Sequence, residues 1–305
     1  MGKKSCLKLS DWSRADLDRT LDRAISIKKD FRKGRETQLL KGQVLGMIFH
    51  KPSLRTRLSF EVAMWQLGGK GMLITDAEIG FGRREAVKDI GAVMSRYLDG
   101  IMIRTFHQKD IEDLDRASTI PIINGLTNEF HPCQILSDML TLREKGLSID
   151  GLSLAYLGDS NNIVRSWLNA GLRYKLDLRI GSPKGFEPEE ELVEAVQHRG
   201  VSKVLVTSSP QEAVAGAHVI YTDTWTSMGQ ENEAEERRKI FPPFQVNSEM
   251  LKGADPDVLV MHCLPAHRGE EITDEVMDGP HSIVYDQAEN RLHAQKGLLV
   301  TCMEG

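Results

Sequence analysis

The chain has 305 residues, a formal net charge of −5 and four cysteines. That length favours two domains of ordinary size over one large core, and the acidic balance gives no long-range field for nucleic acid or an anionic membrane, so any anion must be held locally. Cys6, Cys133, Cys263 and Cys302 show neither metal-ligand nor disulfide-framework spacing, which argues against a structural metal, and no apolar run reaches the roughly 18 residues of a spanning helix; the expectation is a cytoplasmic protein.

In chain order, apolar residues recur among charges from Asp11 to Phe31, which predicts an amphipathic helix capped by Ser10 or Asp11. Short apolar runs at 44–49, 72–74, 100–103 and 121–123 then alternate with helix-like stretches at 54–67, 86–97, 111–117 and 133–145. The polar, glycine-interrupted segment 144–151 suits a passage between domains. A second alternating series follows, with strands expected at 152–157, 176–180, 204–206, 218–221, 258–261 and 283–285 and a last helix from Gln287 to about Leu299. The pattern predicts an α/β protein of two domains, each an open parallel sheet flanked by helices, with the active site in the interdomain cleft. The domains expected are 1–147, joined by the last helix at about 287–305, and 148–286.

The most informative local feature is His50-Lys-Pro-Ser-Leu-Arg-Thr-Arg57, which follows an apolar strand and runs into a helical pattern. A strand, a polar turn and a helix N-terminus bring unpaired N–H groups and the positive end of the helix dipole to one point. Ser53 and Thr56 add hydroxyl donors, and Arg55 adds a planar fork suited to phosphate; the competing reading is that Ser53 only caps the helix. Neither nucleotide-binding glycine pattern is present, so a small phosphorylated molecule is expected.

Ser53-Leu-Arg-Thr-Arg57 resembles the Ser-Thr-Arg-Thr-Arg signature of the aspartate and ornithine carbamoyltransferase family. His131-Pro-Cys-Gln134 is similar to that family's His-Pro-x-Gln element, and Arg104 is similarly placed to its carbamoyl-phosphate arginine. In the second half, His262-Cys-Leu-Pro265 and Asp223-Thr-Trp-Thr-Ser-Met-Gly229 resemble the ornithine branch. With Asn162 and Ala288-Glu-Asn-Arg291 the likeness runs in family order over nearly the whole chain.

The resemblance implies transfer of a carbamoyl group from carbamoyl phosphate to the δ-amine of L-ornithine, in a homotrimer and with no metal, redox or other cofactor. It assigns carbamoyl phosphate to Ser53, Leu54 (through its backbone), Arg55, Thr56, Arg104, His131, Gln134, Cys263, Leu264 and Arg291. It assigns ornithine to Asn162, Asp223, Ser227 and Met228, and the chemistry to Arg104, His131, Cys263 and Asp223. The alternatives are another acceptor, such as putrescine or N-acetylornithine, and a non-catalytic phosphometabolite-binding relative. Leu54 departs from the signature's threonine, and Glu78 stands where relatives carry an uncharged polar side chain or a histidine, so it is left out of the binding set. Cys133 is expected to be a packing residue, and the acidic run Glu231 to Glu236 a solvated helix face.

Overall fold

The computed structural model describes residues 3–35, 37–81, 84–199, 201–226 and 231–304. Its chain divides into two compact units, Met1–Leu140 with Glu289–Gly305, and Thr141–Ala288.

The first unit opens with α1 (Arg14–Arg32), which buries Leu17, Leu21, Ala24 and Ile27 on one stripe. Its cap is Ser13, whose Oγ accepts the Asp16 N–H at 3.1 Å, and not Ser10 or Asp11. Those two fall at a 3₁₀ turn, Leu9–Asp11 and its flank, so the helix starts three residues later than its apolar pattern suggests. Then come β1 (Val44–Phe49), α2 (Leu54–Gln66), β2 (Lys70–Thr75), α3 (Asp76–Ile79), α4 (Val87–Met94), β3 (Gly100–Arg104), α5 (Gln108–Ala117), β4 (Ile122–Leu126) and α6 (Pro132–Glu144). The strands form a parallel sheet in the order β2-β1-β3-β4. Ile48, Ile101, Ile103 and Ile122 anchor a core with Ile90, Ile111 and Leu114 of the covering helices.

The second unit runs β5 (Ser153–Leu157), α7 (Asn162–Gly171), β6 (Asp177–Gly181), α8 (Glu190–His198), β7 (Lys203–Thr207), α9 (Pro210–Val214), β8 (Val219–Thr222), α10 (Ala234–Ile240), α11 (Ser248–Leu251), β9 (Leu259–His262), α12 (Asp274–Met277) and α13 (Val284–Met303). Its parallel sheet has the order β7-β6-β5-β8-β9. β5 is central and buried at every position, which is why it reads as an almost wholly apolar run after Ser153. Helices α6 and α13 contribute residues to both units.

The strand expected at 283–285 is not formed. Residue 282 makes one isolated bridge to Val260, and Val284 already begins α13. Ile283 and Val284 are buried against the sheet, so their apolar, β-branched character reflects packing and not an extended backbone. Among the described residues no helix is long and apolar enough to cross a membrane.

Candidate functional site

In an open parallel sheet the loops leaving two neighbouring strands diverge where the strand order reverses, and ligands bind at that point. In the first sheet it lies between β1 and β3, whose register pairs Phe49 with Arg104. The loops after these strands are tied together: the His50 N–H donates to Arg104 O at 2.9 Å, and His50 Nδ1 lies 2.7 Å from the Thr105 hydroxyl. The phosphate-type loop and Arg104 are thus neighbours because of topology.

Helix α2 begins at this point. Ser53 Oγ accepts the Thr56 N–H at 3.3 Å and donates to Thr56 Oγ1 at 3.1 Å, so its capping role is real. The N–H groups of Leu54 and Arg55, as the first two of the helix, have no intrahelical acceptor. The Leu54 side chain is 70% exposed, leaving only its backbone for an anion. Arg55 is half-buried, and its guanidinium makes no hydrogen bond or ion pair among the described residues, whereas Arg57 pairs with Glu61 at 3.3 Å on the surface.

Behind the loop lies a buried polar network. Arg291 Nη1 donates to Gln134 Oε1 at 2.7 Å and Nη2 to Thr56 Oγ1 at 3.3 Å; Gln134 Nε2 donates to Asp138 Oδ1 at 2.8 Å. Arg104, His131, Gln134, Asp138 and Arg291 are all buried. Burial, helped by the Arg291 and Arg104 guanidiniums, holds the His131 imidazole well below its ordinary pKa. His131 is therefore neutral at pH 7. Cys133 donates its S–H to Asn124 O at 3.3 Å, and burial pushes its thiol up to about 12, as suits a packing residue.

Lys51, the other cation of the loop, donates to Asn128 Oδ1 and lies 4.3 Å from the centre of the Phe106 ring. Burial first and the Arg104 charge second lower its pKa. Glu78 has a local explanation. Its carboxylate accepts from both the N–H and the hydroxyl of Thr75 at 2.7 Å, closing a capping box on α3.

In the second sheet the order reverses between β5 and β8. The loop after β5 starts at Gly158, where φ is 135° and a side chain would be strained. Asn161 then caps α7, accepting the Ile163 N–H at 2.9 Å, and its Nδ2 donates to Asp223 Oδ2 at 2.7 Å in the loop after β8. The second Asp223 oxygen accepts the Thr224 N–H at 2.8 Å. Asn162, the expected ligand, is the next residue, at the first position of α7. Ser227 and Met228 lie outside the described residues.

Strand β9 delivers His262 and Cys263 beside this pair, and side-chain atoms of Asp223, His262 and Cys263 lie within 4.8 Å of one another. His262 Nδ1 accepts the Leu264 N–H at 2.9 Å, so the ring proton must be on Nε2, which faces Glu271 Oε1 at 3.0 Å. The same Glu271 oxygen accepts the His267 N–H at 2.6 Å. These bonds hold Leu264 at a φ of 60°, a left-handed conformation rare for leucine, ahead of a cis bond to Pro265. Tyr156 stacks on Tyr221 at 5.9 Å, and burial first and the Asp223 carboxylate second raise the pKa of its hydroxyl.

Comparison with known proteins decides the family. The profile described as "Aspartate/ornithine carbamoyltransferase, carbamoyl-P binding domain" matches residues 4–144, and the profile of the same family's Asp/Orn binding domain matches residues 150–302. The chain belongs to the aspartate/ornithine carbamoyltransferase family. It is 48% identical over 301 residues to the ornithine carbamoyltransferase of Syntrophotalea carbinolica, covering 99% of each chain. It is 47% identical over 307 residues to the anabolic ornithine carbamoyltransferase of Pyrococcus furiosus, covering 99% of this chain and 97% of that one. A solved structure of ornithine carbamoyltransferase from Pyrococcus furiosus superimposes with a TM-score of 0.95 at 46% identity, over 100% of this chain and 98% of that one.

As a member of this family the chain is a carbamoyltransferase, and its two parallel-sheet units flanked by helices meet the α/β expectation. Reading the sequence missed Asn161, Asp138 and Glu271. Asn161 could have been suspected as a helix cap next to Asn162. Asp138 is a carboxylate four positions after Gln134, on the same helix face and at hydrogen-bond spacing. Glu271, nine positions after His262, carries no local signal.

Proposed function

We propose that this carbamoyltransferase is an ornithine carbamoyltransferase: it transfers the carbamoyl group of carbamoyl phosphate to the δ-amine of L-ornithine, giving L-citrulline and phosphate in L-arginine biosynthesis. One observation carries the reading. The two switch points hold opposite chemistries, a cation-rich set of donors in the first unit and a carboxylate beside a thiol in the second.

In the first unit Ser53, the Leu54 backbone, Arg55 and Thr56 hold the phosphate, and Arg291 completes the cation set. Arg104, His131 and Thr56 face the carbonyl oxygen as it becomes negative. A neutral His131 offers an N–H there without adding a third charge beside Arg104 and Arg291. Gln134 keeps one lone pair of Oε1 beyond the bond from Arg291, and with the Cys263 and Leu264 carbonyls it takes the carbamoyl NH₂, a group that offers donors.

In the second unit Asp223 pairs with the α-ammonium of ornithine, while Asn162, Ser227 and the Met228 backbone fix the rest of the amino acid. The δ-amine is protonated in water, with a pKa near the lysine value of about 10.4, and must lose a proton to attack. Asp223 and Cys263 ease that loss. The nitrogen then bonds to the carbonyl carbon, the carbon–oxygen bond to phosphate breaks with its electron pair leaving on phosphate, and a second proton is shed to give the urea group.

The enzyme works in the cytoplasm as a homotrimer. Supporting the assembly, α2 is apolar on two faces: Phe60, Ala63 and Met64 face the core, while Leu58 and Trp65 are 50% and 76% exposed, and Met72 of the edge strand β2 is 54% exposed. The deciding assay offers carbamoyl phosphate with ornithine, putrescine, N-acetylornithine or aspartate and follows phosphate release. Turnover is expected with ornithine; its absence there, or faster release with another acceptor, overturns the assignment.

A further inference from the structure

We infer that Gln287 is a positioning residue for the Cys263–Leu264 turn, acting through the backbone of His262 with Tyr221 as its second anchor; the inference rests on the substrate role proposed above for that turn.

Strand β9 lies at the edge of its sheet, so one row of its backbone groups has no neighbouring strand. Two residues back the chain supplies a substitute. The Val260 N–H donates to His281 O at 2.8 Å, and Val260 O accepts the Ile283 N–H at 3.0 Å. Beyond Ile283 the backbone winds into α13 and no main chain remains to meet His262. Gln287 on the first turn of α13 fills that place: its Oε1 accepts the His262 N–H at 2.9 Å. A side-chain amide thus continues the ladder for one more rung.

The rung is buried and its direction is fixed. Gln287, Tyr221 and His262 are buried. A backbone N–H can only donate, so the amide must present its oxygen to His262, and its Nε2 then donates to Tyr221 Oη at 3.0 Å. Tyr221 is a firm anchor, paired with Met261 in the β8–β9 register and stacked on Tyr156.

His262 is consequently held from two directions, its backbone by Gln287 and its ring by Glu271. The turn that follows, with Leu264 at a φ of 60°, aims two carbonyl oxygens and the Cys263 thiol. Gln287 touches none of the reacting atoms. Its effect is on where the turn sits, and therefore on the transfer step and not on the grip on phosphate.

The test compares Gln287→Met, which keeps the shape and loses both bonds, with Gln287→Glu, which keeps an acceptor for the His262 N–H and lets the Tyr221 hydroxyl rotate to donate. Steady-state kinetics would be measured for both substrates, with inorganic phosphate as a product inhibitor. For Gln287→Met we expect kcat to fall by about tenfold or more, with the acceptor KM raised and the phosphate inhibition constant within about twofold of wild type. For Gln287→Glu we expect recovery of most of that loss. Tyr221→Phe, which spares the His262 bond, should give a smaller fall in kcat and covers the case in which the methionine variant does not fold. A folded Gln287→Met with wild-type kcat and acceptor KM overturns the inference, as does equal loss in the methionine and glutamate variants. Failure of the wild-type enzyme itself to use ornithine would strike the functional reading instead.

Discussion

Arg55 and Thr56, both proposed to hold the phosphate, are placed in two different ways. Arg55 makes no ion pair or hydrogen bond among the described residues, so replacing it should disturb little except the ligand. Arg55→Lys keeps the charge and loses the planar fork; we expect kcat/KM for carbamoyl phosphate to fall by roughly 10²-fold, with the ornithine KM nearly unchanged, in initial-rate measurements. Thr56 is already committed, since its hydroxyl accepts from both Ser53 and Arg291. Thr56→Val removes an acceptor from a buried guanidinium, so this change should lower stability by about 1–3 kcal/mol in denaturant titration as well as weaken binding. At this scale the sequence offered as candidates the polar residues that follow apolar runs: Arg104 at the end of β3, Asp223 just after β8 and Ser53 at the cap of α2. It was silent on Asp138 and Glu271, which act through Gln134 and His262 and look like ordinary helix or loop carboxylates until the chain is folded.

Among the elements, α1 and α13 show how closely two helices can be drawn together by one small residue. A Cβ on Gly297 would stand 2.5 Å from the backbone oxygen of Thr20 and 2.8 Å from Ala24 Cβ, neither of which can swing away. Gly297→Ala, a change that favours an isolated helix, should therefore destabilise the protein by about 1–3 kcal/mol and lower its Tm in a thermal melt. An unchanged or raised Tm would show that α13 can slide. The strands themselves were legible as short apolar runs, and most fall within a residue or two of their expected places. Their order across each sheet was not, because no local pattern distinguishes β3 from β2 as the second neighbour of β1. That order places Arg104 beside the phosphate loop, and Asn161 beside Asp223. The segment 283–285 misled for a related reason: burial selects the same residues whether the backbone is extended or helical.

For the molecule as a whole, two histidines set the response to mild acid. Burial, with the Lys296 and Lys28 charges, holds His293 at about 4, and His131 is also strongly depressed. In the unfolded chain both titrate near 6.5, so between that pH and their folded values the unfolded state binds more protons. Stability should be complete above pH 6.5 and decline as the pH falls toward 4. Asp16, held at about 2 chiefly by its bond to Lys4, loses its contribution only below its ordinary value near 3.8. Urea titrations at pH 7 and pH 5 would measure the decline, and His293→Gln should make it shallower; equal slopes in both proteins would remove His293 as a cause.

The placement of the four thiols across the whole chain has a practical side. Cys6, Cys133 and Cys302 are buried and Cys263 is half-exposed. A chromogenic disulfide added to the native enzyme should therefore find one reactive equivalent, and four after unfolding. Since that sulfur stands within 4.8 Å of the Asp223 carboxylate, the native protein offers a single labelling position: a dye placed there should report occupancy of the proposed acceptor site without any cysteine having to be engineered in or out.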